Sequence, residues 1–306
     1  MTEDFYTRQV AYTPEVVGEV SPALSIVVGG MGGSGLPGRV LRTLMPERSI
    51  SVHQDYGLPT PASAHALYIA LSFSGDTEET LSFFDAVQAR EYNSVVITSG
   101  GLLLERAKEA GVPYVVVPSG MQPRDGLLAL IKALLAVIGE EDELAEWSAH
   151  PSLEKEVGEA AATLAGEVSN RMPLFYASNR NEPLAYIAKI ICNETAKVPA
   201  FSNVFSEMNH NELQSFGGPA KGAPLTAVLI RDADDHERIT KRMDAFSSLL
   251  LEQGVPVYPL TLPKGTRAYQ TLWLWLALRS AAHALAAQYG VPADEVPLIQ
   301  RFKGML

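Results

Sequence analysis

The chain has 306 residues, enough for one large or two medium domains. An apolar content of 47% and a charged content of 19% mark an ordinary globular protein rather than a disordered or fibrous one. A formal net charge of −11 argues against non-specific binding to nucleic acid or an anionic membrane, while leaving room for a small anionic ligand in a local pocket.

In chain order, a polar N-terminal arm precedes an alternation of strands and helices. SIVVGG (25–30) reads as a buried strand, and PGRVLRTLM (37–45) as a helix starting at Pro37. SISVH (49–53) and HALYIALS (65–72) are further strands, the latter leading into a helix over 78–90. SVVITSGG (94–101) is a strand followed by a helix near 102–110, and YVVVP (114–118) is a strand followed by a long apolar helix, RDGLLALIKALLAVI (124–138). The acidic segment 139–154 reads as the join between two halves, 1–150 and 151–306. The second half predicts helices over 153–170, 182–197, 234–252, 268–289 and 295–304, and strands at 173–178, 225–231 and 255–260. Short β-branched runs alternating with amphipathic helices imply mainly parallel sheets covered on both faces, an α/β class.

The most informative stretch is LYIALSFSGDTEET (67–80), an apolar strand ending in Ser72, Ser74, Gly75 and Thr77 just before a helix. Such a junction can hold a monophosphate on hydroxyls, free N–H groups and the positive helix end. It equally fits a plain helix cap, with Asp76 and Glu79 as a capping box. GGMGGSG (29–35) follows the first strand. Gly30, Gly32 and Gly35 match G-x-G-x-x-G, with Asp55 downstream as the acidic partner of a dinucleotide fingerprint. Tight strand–helix packing, or a backbone cradle for a sugar with Ser34 as a contact, are the other readings. A P-loop is excluded, because no Lys-Ser/Thr follows Gly35.

Four further side chains stand out. Arg124 follows Pro123 in the first turn of a helix, where a cation opposes the dipole unless an anion lies near. Glu194 lies near the end of an apolar helix and is either a base or half of a Glu194–Lys197 surface pair. His210 sits among cap-forming residues, with Asn211 and Gln214 as candidate caps. Lys303 falls in a last helical turn, where a cation complements the dipole. Cys192 is the single cysteine, so no intramolecular disulfide can form, and no C-x-x-C or H-E-x-x-H spacing marks a metal. The start MTEDFYTRQV has no secretory pattern and no apolar run reaches the ~18 residues of a membrane span, so cytoplasmic residence is expected.

Taken together, GGMGGSG, SFSGDTEET, ITSGG, Pro123–Arg124, NETAK, MNHNE and PLIQRFK resemble, in order and spacing, the bifunctional phosphoglucose/phosphomannose isomerase family, built from sugar isomerase (SIS) domains. The resemblance runs from about Gly29 to Lys303. It implies two α/β/α sandwich subdomains, an N-terminal SIS domain with the phosphate loop and a C-terminal SIS-like domain carrying the catalytic Glu and His. It implies a hexose 6-phosphate substrate held by Ser72, Ser74 and Thr77, with Gly32, Gly33 and Ser34 lining the sugar. Glu194 would be the base, Arg124 would stabilise an enediolate, and His210 and Lys303 would assist ring opening. It further implies a homodimer in which His210 reaches the site across the interface, with neither metal nor cofactor. Asp76, Thr195 and Val296 depart from the family pattern; the last bears on which epimer is accepted. Two rivals stand beside this expectation. One is a non-catalytic SIS sensor of a sugar phosphate, which has no need of Glu194, His210 and Lys303 together. The other is a nicotinamide-dependent oxidoreductase resting on Gly30, Gly32, Gly35 and Asp55.

Overall fold

The computed structural model describes residues 3–218 and 222–305, with side chains from residue 5. The chain divides into two compact units between Pro151 and Ser152.

The first unit opens with α1 (Glu3–Ala11), β1 (Val16–Val17), β2 (Ser25–Gly29), α2 (Gly32–Leu44), β3 (Ser49–His53) and β4 (Ala66–Ser72). It continues with α3 (Glu78–Gln88), β5 (Ser94–Thr98), α4 (Gly101–Glu109), β6 (Tyr114–Val116), α5 (Leu127–Ile138) and α6 (Glu141–Trp147). The sheet runs β1-β6-β5-β4-β2-β3, parallel except for β1 against β6. Every residue of β4 is buried, as a central strand covered on both faces requires. α5 is buried along nearly its whole length, which is why its sequence is apolar all round. The winding reverses between β2 and β4, which pair directly, with Gly29 beside Ala70. In strand-entry order, leaving β1 aside, the sheet reads 2-1-3-4-5, and such sheets bind ligands beyond the strand ends at the reversal.

Four local expectations need correction. The polar N-terminal arm contains a helix, α1, whose Tyr6 and Gln9 are fully buried. α2 begins at Gly32, so Pro37 lies inside it; glycines argue against helix by propensity, but here they permit close packing that overrides it. Arg124 sits in a short 3₁₀ turn, Pro123–Asp125, ahead of α5 rather than in its first turn. The acidic segment 139–154 holds α6 and a turn, Leu153–Lys155, and Trp147 and Leu153 are buried.

The second unit contains α7 (Gly158–Val168), β7 (Met172–Ser178), α8 (Glu182–Ile191), β8 (Phe201–Phe205), α9 (Glu212–Ser215), β9 (Leu225–Arg231), α10 (Glu237–Glu252), β10 (Val257–Thr261), α11 (Arg267–Tyr289) and α12 (Pro297–Lys303). Its four strands run β10-β9-β7-β8, all parallel, and repeat the winding of the first unit, again with the first and third strands adjacent. β8 is an edge strand; Ser202 and Asn203 interrupt its apolar run, which hid it from periodicity. Phe246 packs edge-on against Tyr176, Phe205 and Phe216 at 5.3, 5.5 and 5.9 Å between centroids, pinning the segment after β8 to the sheet. The expected α/β class with mainly parallel sheets holds in both units. Among the described residues no helix is long and apolar enough to cross a membrane.

Candidate active site

Three segments of the first unit meet at the β2/β4 reversal. The first is the hydroxyl loop. Ser72 ends β4 buried; its hydroxyl donates to Thr77 Oγ1 at 3.0 Å and accepts from the Gly75 N–H at 3.1 Å. Ser74 is exposed and its Oγ accepts from the Asp76 N–H at 3.3 Å. Gly75 has φ +81°, and a Cβ there would fall 1.9 Å from the Gly100 carbonyl oxygen, so only glycine fits the turn. Thr77 is the N-cap of α3, and its side chain makes no capping bond.

The capping-box reading of Asp76 is overturned. Its Oδ1 accepts from the Leu102 N–H at 2.9 Å, so it caps the neighbouring helix α4. The close approach of Gly75 to Gly100 brings that helix start alongside, and the pairing is invisible to sequence spacing. An asparagine carbonyl would accept the same bond, which accounts for Asp76 standing where the family pattern expects Asn.

The second segment is the glycine turn. Ser34 is buried and its Oγ accepts from the Phe73 N–H at 3.0 Å, joining this turn to the hydroxyl loop. A Cβ on Gly33 would lie 2.8 Å from the Arg124 nitrogen, and one on Gly30 would lie 2.7 Å from the Leu71 carbonyl. A Cβ on Gly35 would lie 2.7 Å from the Gly30 carbonyl. Gly30 and Gly35 are thus accounted for by backbone packing. Asp55 accepts from the N–H of the adjacent Tyr56 at 2.7 Å, and the strand order is 2-1-3-4-5 rather than the 3-2-1-4-5-6 of dinucleotide folds. The dinucleotide fingerprint therefore has no structural support here.

The third segment is the Pro123–Asp125 turn. The Arg124 side chain is 1% exposed, with Nη1 3.5 Å from Gln122 Oε1. A Cβ on Gly126 would lie 2.6 Å from the Phe73 ring, so this turn also rests on the hydroxyl loop. Gln9, which sequence reasoning passed over in a polar arm, braces it. The amide Nε2 donates to the Asp125 carbonyl at 2.9 Å and its Oε1 accepts from the Ala129 N–H at 3.1 Å. Gln9 thereby spans the break between the turn and α5. Beside it, Lys132 donates to the Gln9 and Val10 carbonyls at 3.2 and 2.7 Å at the end of α1, and burial pushes its ammonium down to about 8.

Glu194, His210 and Lys303 lie on separate elements of the second unit. Glu194 is half-buried in a π turn, Cys192–Ala196, that ends α8; π turns inside helices are frequent at functional sites. Lys197 closes it and gives its ammonium to the Glu194 backbone carbonyl, with further bonds to the carbonyls of Glu295 and Ala293. His210 is exposed in a turn, Glu207–His210, held on both sides. Met208 before it is fully buried, and Glu212 after it accepts from Tyr176 Oη at 2.9 Å and Asn203 Nδ2 at 2.5 Å. Asn211 caps α9, accepting from the Glu212 N–H at 2.6 Å. Lys303 is exposed in the last turn of α12.

At the matching β7/β9 reversal of the second unit, the protein fills the strand ends with its own charges. Arg267 donates to Asn181 Oδ1 at 2.7 Å, Asp232 Oδ2 at 3.2 Å and Gln270 Oε1 at 3.1 Å. Asn181 donates to Ser178 Oγ at 3.2 Å and to Asp235 Oδ1 at 3.2 Å. Burial lowers the Arg267 pKa and raises that of Asp235. The two units share a winding, yet only the first has the hydroxyl and glycine loops at its reversal.

Comparison with known proteins places the chain in a family. A bifunctional phosphoglucose/phosphomannose isomerase of Aquifex aeolicus is 33% identical over 300 residues, covering 94% of this chain and 92% of its own. This chain belongs to that isomerase family. Another bifunctional phosphoglucose/phosphomannose isomerase, from Caldicellulosiruptor bescii, is 34% identical over 81% of this chain and 80% of its own length. The family model described as the bacterial phospho-glucose isomerase C-terminal SIS domain matches residues 158–306, which span the second unit from the start of α7. A solved Thermus thermophilus structure superposes with a TM-score of 0.74 at 21% identity, covering 92% of this chain and 83% of that one, and shares the fold.

Proposed function

We propose that the chain interconverts glucose 6-phosphate, and mannose 6-phosphate, with fructose 6-phosphate through an enediol intermediate, as a cytoplasmic homodimer and without a metal or redox cofactor. The observation that carries this reading is the meeting of the hydroxyl loop, the glycine turn and buried Arg124 at one sheet reversal, in a chain of this family. Ser72, Ser74 and Thr77, with the start of α3, receive the phosphate; its binding energy holds the reacting carbons in place. Gly32, Gly33 and Ser34 line the sugar.

After His210 and Lys303 assist ring opening, the Glu194 carboxylate takes the proton from C2 of the open-chain aldose. The C–H electron pair forms the C1–C2 double bond, and the carbonyl pair moves onto O1. Arg124 stabilises the resulting enediolate. A proton passes from O2 to O1, and the protonated Glu194 returns its proton to C1 as the C2 carbonyl forms, giving the ketose. Atoms and charge balance with no external reductant. His210 comes from the neighbouring subunit in this reading. A sugar-phosphate sensor would share the phosphate loop but not need the second-unit groups.

The test is a coupled assay with each hexose 6-phosphate in the presence of a chelator, run beside Glu194→Ala. Turnover of at least one substrate, with a loss of about 10²-fold or more in the variant, is expected. Near-full activity of Glu194→Ala would refute the base assignment, and ligand binding without turnover by the wild type would favour the sensor.

A further inference from the structure

We infer that Lys197 is a positioning residue that ties the Glu194 turn to the segment entering α12. The inference deepens the proposed reaction and rests on Glu194 being its base. Lys197 stands at the end of the π turn with φ 58° and ψ 27°, and its backbone N–H bonds the Cys192 carbonyl. Glycine is the usual residue for a left-handed cap, since it adopts that conformation without a steric penalty. Keeping a lysine there is explained by what its side chain does. The ammonium reaches the Glu194 carbonyl, the Glu295 carbonyl at 2.7 Å and the Ala293 carbonyl at 3.4 Å. An ammonium has three N–H donors, and these carbonyls match that number in two segments of chain far apart in sequence.

The turn is pinned from its other side as well. Asn193 Oδ1 accepts from the Ala200 N–H at 2.8 Å, so the residues flanking Glu194 are held by separate bonds. Across the tie, Glu295 and Val296 lead directly into α12, which carries Lys303. α12 has few internal anchors: Leu298, Ile299 and Phe302 are all exposed, so the Lys197 contacts fix its approach. One side chain thus sets the backbone of the base and the route to Lys303 together. The phosphate loop belongs to the first unit, so loss of this tie is felt in the proton-transfer step rather than in substrate capture.

The experiment compares Lys197→Gly, Lys197→Arg and Glu194→Gln in the full-length protein. Lys197→Gly removes the ammonium while relieving the left-handed backbone, so it separates positioning from folding. We expect it to melt within a few degrees of wild type, to lose roughly 10- to 100-fold in kcat, and to keep KM for its hexose 6-phosphate within about threefold. Amide exchange over 293–303 speeds up in the same variant. Lys197→Arg, which restores a cation with donors, recovers part of both. Unchanged kcat in folded Lys197→Gly overturns the inference, as does unchanged exchange over 293–303. Full activity of Glu194→Gln instead refutes the base assignment, while the exchange readout still tests the tie itself.

Discussion

The Ser34 hydroxyl accepts the Phe73 N–H at 3.0 Å and so locks the glycine turn after β2 to the hydroxyl loop after β4. Both residues are buried, so the bond is shielded from water. Replacing Ser34 by Ala leaves a buried N–H without this acceptor, which costs about 1–3 kcal/mol. Ser34→Ala should lower stability by that amount in denaturant titrations. It should also raise KM for the sugar phosphate, because the two loops lose their mutual register. Unaltered KM with lowered stability would confine the bond to folding.

Gly75 and Gly32 both have positive φ, +81° and +49°, but differ in surroundings. Gly75→Ala would drive a Cβ to 1.9 Å from the Gly100 carbonyl, whereas Gly32→Ala meets nothing within 4 Å. Gly32→Ala should cost about 1 kcal/mol of backbone strain and remain folded. Gly75→Ala should cost more than about 3 kcal/mol or reshape the loop, with loss of inorganic phosphate binding. Calorimetric titration of phosphate into both variants, after thermal melts, checks the contrast.

Arg267 and Asp232 pair at 3.2 Å where the second unit's sheet reverses, with side chains 16% and 0% exposed. Removing Arg267 leaves the buried Asp232 carboxylate with the half-exposed Arg180 as its cationic partner, 3.6 Å away, so the loss should fall toward or below the lower end of the about 3–5 kcal/mol for breaking a buried pair. Arg267→Met should lower the melting transition accordingly. The double variant Arg267→Met, Asp232→Asn should recover part of the loss, because the stranded carboxylate is gone. Additive losses in this cycle would contradict the coupling.

Lys132 gives a pH signature. Its ordinary value is 10.5, and burial in the folded chain pushes it down to about 8. Between these values the unfolded chain holds a proton that the native chain has released, so this group's contribution makes stability rise with pH. Below about 8 the cost of burying the ammonium is fully present, and it fades as pH climbs toward 10.5. Thermal melts of wild type and Lys132→Met across pH 7–10 should therefore converge or cross in favour of wild type at the alkaline end, relative to neutral pH. A difference independent of pH would exclude the assignment.

The sequence by itself determined the α/β class, most strands and the residues at strand ends. Short β-branched runs such as 25–29 and 94–98 favour buried strands, and Ser72 to Thr77 lies at the end of another such strand. It also carried the NETAK and MNHNE segments that contribute to the resemblance to the isomerase family. Tertiary structure decided what spacing cannot encode. Asp76 caps α4 instead of its own helix because Gly75 and Gly100 approach closely. Gln9 braces the Arg124 turn from a helix more than a hundred residues earlier in the chain, a bond of residues 116 apart. Lys197, read locally as half of a surface pair, spends its donors on carbonyls up to 98 residues away. Local patterns fix which segments are apolar and which are hydroxylated, since burial and hydrogen bonding act on neighbours along the chain. Which loops face one another depends on the order in which parallel strands pair, and that order exists only in the folded sheet.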